Sequence, residues 1–171
     1  MNFRSLLEEF PSGTQKELYV SQVQGSPERF QSLLDLALED QDPVSWRAAW
    51  ILDSCDETET SLREAQICDI VKSLPSLQSK GALRSLLRML VRHEIPDEEQ
   101  GLLVDLCFRY LVSDLYPVAV KAHAMQIIYQ HVLLYPELKD ELITILQDQI
   151  ENNSVGFKSR AVKLIKAMEK L

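Results

Sequence analysis

Residues 46–52 read Trp-Arg-Ala-Ala-Trp-Ile-Leu, and the chain repeats this stretch three times in degraded form. The copies are Ser-Lys-Gly-Ala-Leu-Arg at 79–84, Val-Lys-Ala-His-Ala-Met at 120–125 and Phe-Lys-Ser-Arg-Ala-Val at 157–162. Each copy has a cation in second place, after a residue that is large and apolar in all but the weakest copy. The four cations lie 33, 41 and 37 positions apart. Self-similarity at such spacings is typical of stacked helical pairs, so the stretch predicts an all-helical repeat fold.

Prolines divide the chain into segments whose apolar residues recur with helical spacing, and strict strand-like alternation is absent. Proline suits the first turn of a helix because its missing N–H needs no partner there. We predict inner (B) helices, which carry the copies, and outer (A) helices between them. The A helices are placed at 27–40, 62–74, 97–113 and 136–152, and the B helices at 43–54, 77–93, 117–134 and 155–170. A first helical region at 3–24, broken near residues 11–13, is predicted to cap the stack.

The composition excludes several classes of protein. Of the 171 residues, 46 % are hydrophobic and 26 % are charged, which suffices for one domain with a sizeable core. The net charge of −8 argues against non-specific binding of the whole molecule to nucleic acid or anionic membranes. Cys55, Cys68 and Cys107 lack the pairing and close spacing of a disulfide framework or a zinc site, so reduced thiols are predicted. No signal peptide and no apolar run of membrane-spanning length is visible, and the predicted location is the cytoplasm.

Two proline-led segments carry a resemblance to a known family. Residues 42–49 read Asp-Pro-Val-Ser-Trp-Arg-Ala-Ala, residues 116–122 read Tyr-Pro-Val-Ala-Val-Lys-Ala, and Phe-Lys-Ser-Arg-Ala at 157–161 is similar to a terminal repeat. This pattern resembles the HEAT/armadillo family, specifically short bacterial HEAT-like proteins. The resemblance implies a right-handed α-solenoid, an α-α superhelix, of about four to five helical pairs. We expect a single domain over 1–171, with capping helices at 1–26 and four helical-hairpin repeats at 27–171.

The resemblance also implies which residues make the contacts of the repeat itself. In such repeats the helix after the proline faces the concave side, and its cation often pairs with an acid in the preceding turn. Asp42 and Asp114 are the plausible acids for this role. The cations of the repeated stretch are therefore assigned to the scaffold rather than to a binding site.

Cations are concentrated in the predicted B helices. These segments hold 11 of the 18 Lys and Arg residues and only two acids, Asp53 and Glu169, with Glu94 just beyond the second segment. In the second B helix Lys80, Arg84, Arg88 and Arg92 step by four, which keeps them on one face. Leucines occupy the opposite arc of that helix. The pattern predicts a basic face on an otherwise acidic protein.

Aligning the copies places specific residues at matched positions. Arg88 and Lys166 each lie nine residues after the start of their copies, and Tyr129 holds the same position in the third B helix. Helices stacked in register would form a cationic row with an aromatic residue in its middle. The predicted partner-binding residues are Arg84, Arg88, Arg92, Tyr129, Lys163 and Lys166. The alternative to a binding site is that this face is charged only because an amphipathic helix needs one side that is exposed to solvent.

Two tryptophans raise an alternative function. Trp46 and Trp50 lie one helical turn apart, a spacing typical of core aromatics. HEAT-like DNA glycosylases of the alkylation-repair type resemble this fold and use aromatics and an acid on a basic concave face to hold a damaged nucleotide. Asp53, three residues after Trp50, would be that acid. The first B helix has only Arg47 as a cation and the chain is short for that family, so this activity is the second hypothesis.

The sequence gives no pattern for a metal or a cofactor. His93-Glu94 is the dipeptide that HEAT-type di-iron hydroxylases use as ligands, but such a centre needs several copies and the chain has one. His131 falls on the apolar arc of its helix, which predicts a hydrogen-bonded interior histidine. No nucleophile elbow, phosphate loop or dinucleotide fingerprint occurs. We predict no catalytic residue, no metal and no cofactor.

These observations favour a non-catalytic interaction module or scaffold whose B-helix face binds an acidic segment of a protein or peptide. The alternative is a nucleic-acid-binding protein or a glycosylase-like enzyme, and a purely structural unit is the third hypothesis. No membrane partner is predicted. Leu171 ends on the apolar arc of its helix, so a monomer or a weak dimer is expected because repeat ends need covering.

Overall fold

The computed structural model describes residues 2–9, 14–58 and 62–171. Within these ranges the chain forms ten α-helices and two one-turn 3-10 helices, and no strand. The all-helical class predicted from the sequence is confirmed. Contacts between residues divide the chain into two compact units, Met1–Pro96 and Asp97–Leu171, each with its own core. The single repeat domain expected over 1–171 stays a prediction.

The helices follow the prolines and the repeated stretch. In the first unit they are α1 (Phe3–Glu8), α2 (Thr14–Val23), α3 (Pro27–Leu38), α4 (Val44–Thr58), α5 (Glu64–Ser73) and α6 (Lys80–Leu90). In the second unit they are α7 (Asp97–Val112), α8 (Val118–Val132), α9 (Lys139–Ile150) and α10 (Val155–Met168). The 3-10 helices lie at Leu74–Ser76 and Pro136–Leu138. Every predicted A and B helix is present, while the break predicted near residues 11–13 lies outside the described residues.

The C-terminal end of α4 differs most from its predicted position, because the helix continues from residue 54 to Thr58. No proline or glycine interrupts this added turn, so the helix has no local reason to stop at residue 54. The turn also packs well, since Cys55 is 1 % exposed and Asp56 is 3 % exposed. The extension adds two acids, Asp56 and Glu57, to a helix whose predicted length contained one.

Helix α4 forms the centre of the first unit, where it packs against α1, α2, α3 and α6. The small residues of the repeated stretch make this possible, since Ala48 and Ala49 are fully buried and let neighbouring helices approach. The approach is closest at Gly81 of α6. A Cβ atom at this position would lie 2.7 Å from the Cβ of Trp46, which is closer than real Cβ atoms come. Glycine at this position therefore permits the α4–α6 packing distance.

A polar junction fixes where α6 begins. Asp40 has a positive φ of 58°, and its carboxylate accepts hydrogen bonds from the backbone N–H groups of Gln78 at 2.9 Å and Ser79 at 2.7 Å. The Ser79 hydroxyl donates to Asp42 at 2.7 Å and accepts from the N–H of Ala82 at 3.2 Å. Asp42 therefore stabilises the junction at the start of α6. Arg47 instead donates to the backbone carbonyls of Leu7 and Glu8.

The second unit is built on the hairpin of α7 and α8, with α9 and α10 packed against α8 and against each other. Its core includes Leu103, Cys107, Ile128 and Phe157, each at most 1 % exposed. Lys121 lies inside this unit with a side chain that is 4 % exposed. Its amine is 3.3 Å from Gln149 Oε1 and 3.9 Å from Asp114 Oδ1, so the acid expected beside this cation is near it.

Candidate functional site

Helix α10 is the most cationic element of the second unit. The Ser154 side chain caps its first turn by accepting from the N–H of Phe157 at 3.3 Å. Its buried residues recur on one side of the helix and pack against the unit: Phe157, Ala161, Leu164, Ile165 and Met168. The remaining surface of α10 carries four cations and no acid, and all four are exposed: Lys158, Arg160, Lys163 and Lys166.

A groove of about 270 Å³ runs between α8 and α10. It is lined by Gln126 and Tyr129 of α8 and by Arg160, Lys163, Leu164 and Ala167 of α10. Arg160 also donates from Nη1 to the backbone carbonyl of Ala122 at 3.3 Å, which holds its side chain against α8. Tyr129 and Gln126 are half-buried and Leu164 is 6 % exposed, so the groove has an apolar floor with polar groups around it.

No carboxylate belongs to the described lining of this groove. The cations of α10 also form no ion pair with any acid in the described part of the chain, although α9 and its flanks carry several acids. Like charges on one helix that form no ion pair raise the local positive potential, because no carboxylate in direct contact neutralises them. The Arg160–Lys163 edge of the groove is therefore suited to an anion.

In the first unit, Arg88 of α6 and Arg92 of the turn that follows α6 are engaged differently. Arg88 binds Asp53 at 2.7 Å and Glu57 at 2.8 Å, and the hydrogen bond to Asp53 raises the pKa of the Arg88 guanidinium above its ordinary value. Arg92 binds Asp53 at 2.7 Å and Asp56 at 2.8 Å. The side chains of Asp53 and Asp56 are 4 % and 0 % exposed, so these pairs join the interior of α4 to α6.

Sequence reasoning missed these ion pairs because it considered Asp53 only as an acid for base excision and ended the B helix at residue 54, before Asp56 and Glu57. The signal was present in the spacing, since Asp53 and Arg88 are 35 positions apart, as are Trp46 and Gly81 at the close α4–α6 contact. Extending the helix to residue 58 and applying this one offset places the acids of α4 opposite the arginines of α6.

The six predicted partner-binding residues fall into three groups. Arg88 and Arg92 are held by the acids of α4. Arg84, on the same helix, is exposed and has no ion pair or side-chain hydrogen bond with a described residue. Tyr129 and Lys163 line one groove, and Lys166 lies exposed beside it on α10: this groove is the candidate site. Because Arg88 belongs to the first unit and Tyr129 and Lys166 to the second, the predicted row stays a prediction.

Four groove residues were not predicted: Arg160, Gln126, Leu164 and Ala167. The alignment of copies compared the ninth position, whereas the groove depends on how α10 is rotated against α8. Arg160 lies three residues before Lys163 and seven before Ala167, on the same side of the helix. That spacing could have indicated a shared face.

The chain matches the HEAT repeat domain over residues 3–168, which is nearly its whole length. This chain belongs to the HEAT repeat family. The match confirms the predicted HEAT-like repeat class, and HEAT repeats in general mediate protein interactions and scaffolding. No curated protein and no solved structure is significantly similar to it. None of the described helices is both long enough and apolar enough to cross a membrane.

The tryptophans of this HEAT repeat chain are half-buried and contact cations. The ring centroids of Trp46 and Trp50 are 6.2 Å apart, with Arg47 Cζ 5.4 Å from the first ring and Lys16 Nζ 4.7 Å from the second. Asp53, the acid considered for base excision, is 3 % exposed and accepts from Arg88 and Arg92. Its carboxylate thus serves the packing of α4 on α6.

The histidines considered as ligands have ordinary structural contacts. His93 Nε2 lies 2.7 Å from Asp56 Oδ1 at the end of the α4–α6 ion pairs. His131 is buried, and its Nδ1 lies 2.8 Å from the carbonyl oxygen of Ile127, which is the interior position predicted for it. The three cysteines are buried thiols, and burial raises the pKa of the Cys107 thiol.

A second cavity of about 270 Å³ lies in the first unit, lined in part by Val23, Phe30, Cys55, Arg63 and Gln66. Its described walls are mainly apolar, and they hold one cation at the edge. The groove between α8 and α10 carries the stronger chemical signal, because two unpaired cations and an aromatic side chain share it.

Proposed function

We propose that this HEAT repeat chain is a non-catalytic interaction module whose second unit binds an acidic segment of a partner protein through the groove between α8 and α10. One observation carries the proposal: the cations of α10 have no acid partner among the described residues, whereas Arg88 and Arg92 of the first unit have several. Cations that a fold does not use internally are the ones that an anionic partner can reach.

Each groove residue has a role that follows from its chemistry. The planar guanidinium of Arg160 can hold a carboxylate with two parallel hydrogen bonds, and its contact with the Ala122 carbonyl limits its motion. Lys163 supplies a second positive charge one turn along α10, and Lys166 extends the field toward solvent. Tyr129 offers a ring that an incoming side chain can pack against and a hydroxyl that can donate.

Arg88 and Arg92 are left out of this site for an energetic reason. Recruiting them would leave Asp53 and Asp56 buried without their partners, and breaking a buried pair in this way costs about 3–5 kcal/mol. An acidic partner would have to supply that energy before gaining any affinity. The unpaired cations of α10 carry no such cost.

A protein partner fits better than nucleic acid. Duplex DNA presents a charge every ~1.7 Å, so tight binding requires many phosphate contacts. Helix α10 offers four cations over 14 residues, on a protein of net charge −8. A short run of carboxylates matches a site of this size, while the remaining acidic surface repels a long polyanion.

The test uses a matched pair of charge reversals on α10. Lys163→Glu changes the lining of the groove, and Lys158→Glu makes the same change in net charge about 140° around the helix. The probe is a fluorescein-labelled peptide of glutamate residues separated by serines, measured by fluorescence anisotropy at about 50 mM salt. We expect Lys163→Glu to weaken binding by about tenfold or more and Lys158→Glu by less than about threefold.

If the two variants lose the same affinity, the groove contributes no more to peptide binding than any exposed charge on the surface, and the proposed site is wrong. The nucleic-acid alternative is tested by measuring the binding of a labelled single-stranded oligonucleotide under the same conditions. Tighter binding of the oligonucleotide than of the peptide would replace the proposal by that alternative.

A further inference from the structure

The groove between α8 and α10 has two chemically different ends. Arg160 of α10 contacts the carbonyl of Ala122 of α8, and the other lining residues lie C-terminal to that contact on both helices. The two helices therefore run in the same direction along the groove. The 38-residue offset of that contact then sets Gln126 beside Leu164 and Tyr129 beside Ala167.

One end is cationic and the other is apolar. Arg160 and Lys163 form the first end, while Leu164, Ala167 and the ring of Tyr129 form the second. Ala167 contributes a small side chain to the lining, and Leu164, which also lines the groove, is 6 % exposed. With a volume of about 270 Å³, the groove exceeds the ~150 Å³ cavity that holds a benzene molecule.

We infer that the partner segment carries a large apolar side chain close to its carboxylate, and that the apolar side chain occupies the Tyr129–Leu164–Ala167 end of the groove. This inference rests on the proposed function and specifies the partner. A purely acidic segment would leave the apolar end in contact with water. An apolar side chain removes that surface from water and keeps the carboxylate at Arg160 and Lys163.

Helix geometry sets the spacing of the two groups. At a rise of about 1.5 Å per residue, Ala167 lies about 6 Å along α10 from Lys163 and about 10 Å from Arg160. An extended peptide advances about 3.3 Å per residue, so the carboxylate and the apolar residue lie about two to three positions apart. Charge complementarity fixes the acidic position, and the depth of the groove at Ala167 fixes the apolar one.

The experiment compares twin peptides. The first is the glutamate–serine peptide described above, with two serines between successive glutamates, and the second has the serine two residues after one glutamate replaced by phenylalanine. We expect the phenylalanine peptide to bind the intact chain about five- to tenfold more tightly. Ala167→Trp fills the apolar end without changing charge and is expected to bring both peptides to the same affinity.

Val155→Trp is the control for added bulk, since Val155 is 86 % exposed in the first turn of α10 and outside the groove. It is expected to preserve the preference for phenylalanine. Ala167→Gln, a smaller and more polar change, tests the same end if the tryptophan variant does not fold, as judged by circular dichroism.

The outcomes separate this inference from the proposed function. If the intact chain binds both peptides equally, the apolar subsite is wrong while the acidic docking site stands. If neither peptide binds, both are wrong. A preference for phenylalanine that survives Ala167→Trp and Ala167→Gln overturns the assignment of the apolar end.

Discussion

Arg92 Nη2 lies 2.7 Å from Asp53 Oδ1, and this contact joins the turn after α6 to the middle of α4. Asp53 also accepts from Arg88 at 2.7 Å, so one buried carboxylate satisfies two arginines. The arginine side chains are 26 % and 39 % exposed, whereas Asp53 is 4 % exposed. The acid is therefore the member of the cluster that depends most on its partners.

Replacing this acid should destabilise the fold. Asp53→Ala removes both hydrogen bonds and leaves two cations in a partly desolvated position, and we expect the free energy of unfolding to fall by about 2 kcal/mol. The arginines can turn partly toward solvent, which keeps the loss below that of a fully buried pair. Urea unfolding followed by circular dichroism gives the value.

Glu57→Ala is the matched control, because Glu57 binds the same Arg88 with a side chain that is 54 % exposed. Exposed pairs contribute about 0–1 kcal/mol, so a loss of less than about 1 kcal/mol is expected. Similar losses in the two variants would mean that burial of the Asp53 carboxylate does not decide the stability of the cluster.

Replacement by alanine is expected to have opposite effects on stability at two helical glycines, because only one of them lies at the close contact of α6 with α4. Gly81→Ala places a Cβ 2.7 Å from that of Trp46, so we expect a loss of about 1–3 kcal/mol although alanine favours helix by about 1 kcal/mol. Gly101→Ala in α7 meets nothing within 4 Å and is expected to stabilise by up to about 1 kcal/mol. Thermal melts of both variants check the signs, and stabilisation by Gly81→Ala would contradict the packing distance.

The sequence carried enough information to place the helices, because their determinants are local. Pro27 begins α3, Ser154 caps α10, and the small residues after Arg47 mark the helix that is packed on several sides. These signals act within a few residues of the position that they determine. The predicted helix ends are accordingly within four residues of those observed.

The site was harder to predict, because it depends on contacts between helices. Whether Arg88 is available or paired depends on the length of α4 and on its register with α6, and neither is set by the residues around Arg88. The sequence pattern did select Tyr129 and Lys163, which share a groove, because it marked charged and aromatic residues of the B helices. The matched position itself gave Lys166, which lies exposed beside the groove. Arg160 was missed because its position follows from the rotation of α10 about its own axis.

Burial of Cys107 predicts a loss of stability at high pH. Burial raises the pKa of this thiol above its ordinary value of 9.0, so above about pH 9 the unfolded chain loses a proton that the folded chain retains. The folded state then binds more protons than the unfolded state, and stability falls with rising pH by up to about 1.4 kcal/mol per unit for this group. Below pH 9 the group makes no pH-dependent contribution.

The measurement is the urea midpoint of the intact chain and of Cys107→Ala between about pH 7 and pH 10.5. Alanine removes the titrating group, so the variant should lose less stability than the intact chain across the upper part of this range. Tyr110 titrates in both proteins, and burial is the main cause that raises its pKa in both. The charge of Cys107 raises the pKa of Tyr110 further in the intact chain alone, which acts in the same direction as the titration of the thiol. Parallel pH profiles would show that the thiol is not protected from ionisation in the folded state.

Arg84 provides the last test, because it is an exposed cation of α6 that the acids of α4 do not engage. Arg84→Glu changes the net charge by the same amount as Lys163→Glu but lies in the other unit. If affinity for acidic peptides depends on the groove, Arg84→Glu should weaken binding of the glutamate–serine peptide by less than about threefold, since exposed single charges act mainly through a screened field. The two variants are compared at low and at physiological salt. An effect of Arg84→Glu that equals that of Lys163→Glu and persists at physiological salt would place part of the docking surface on α6.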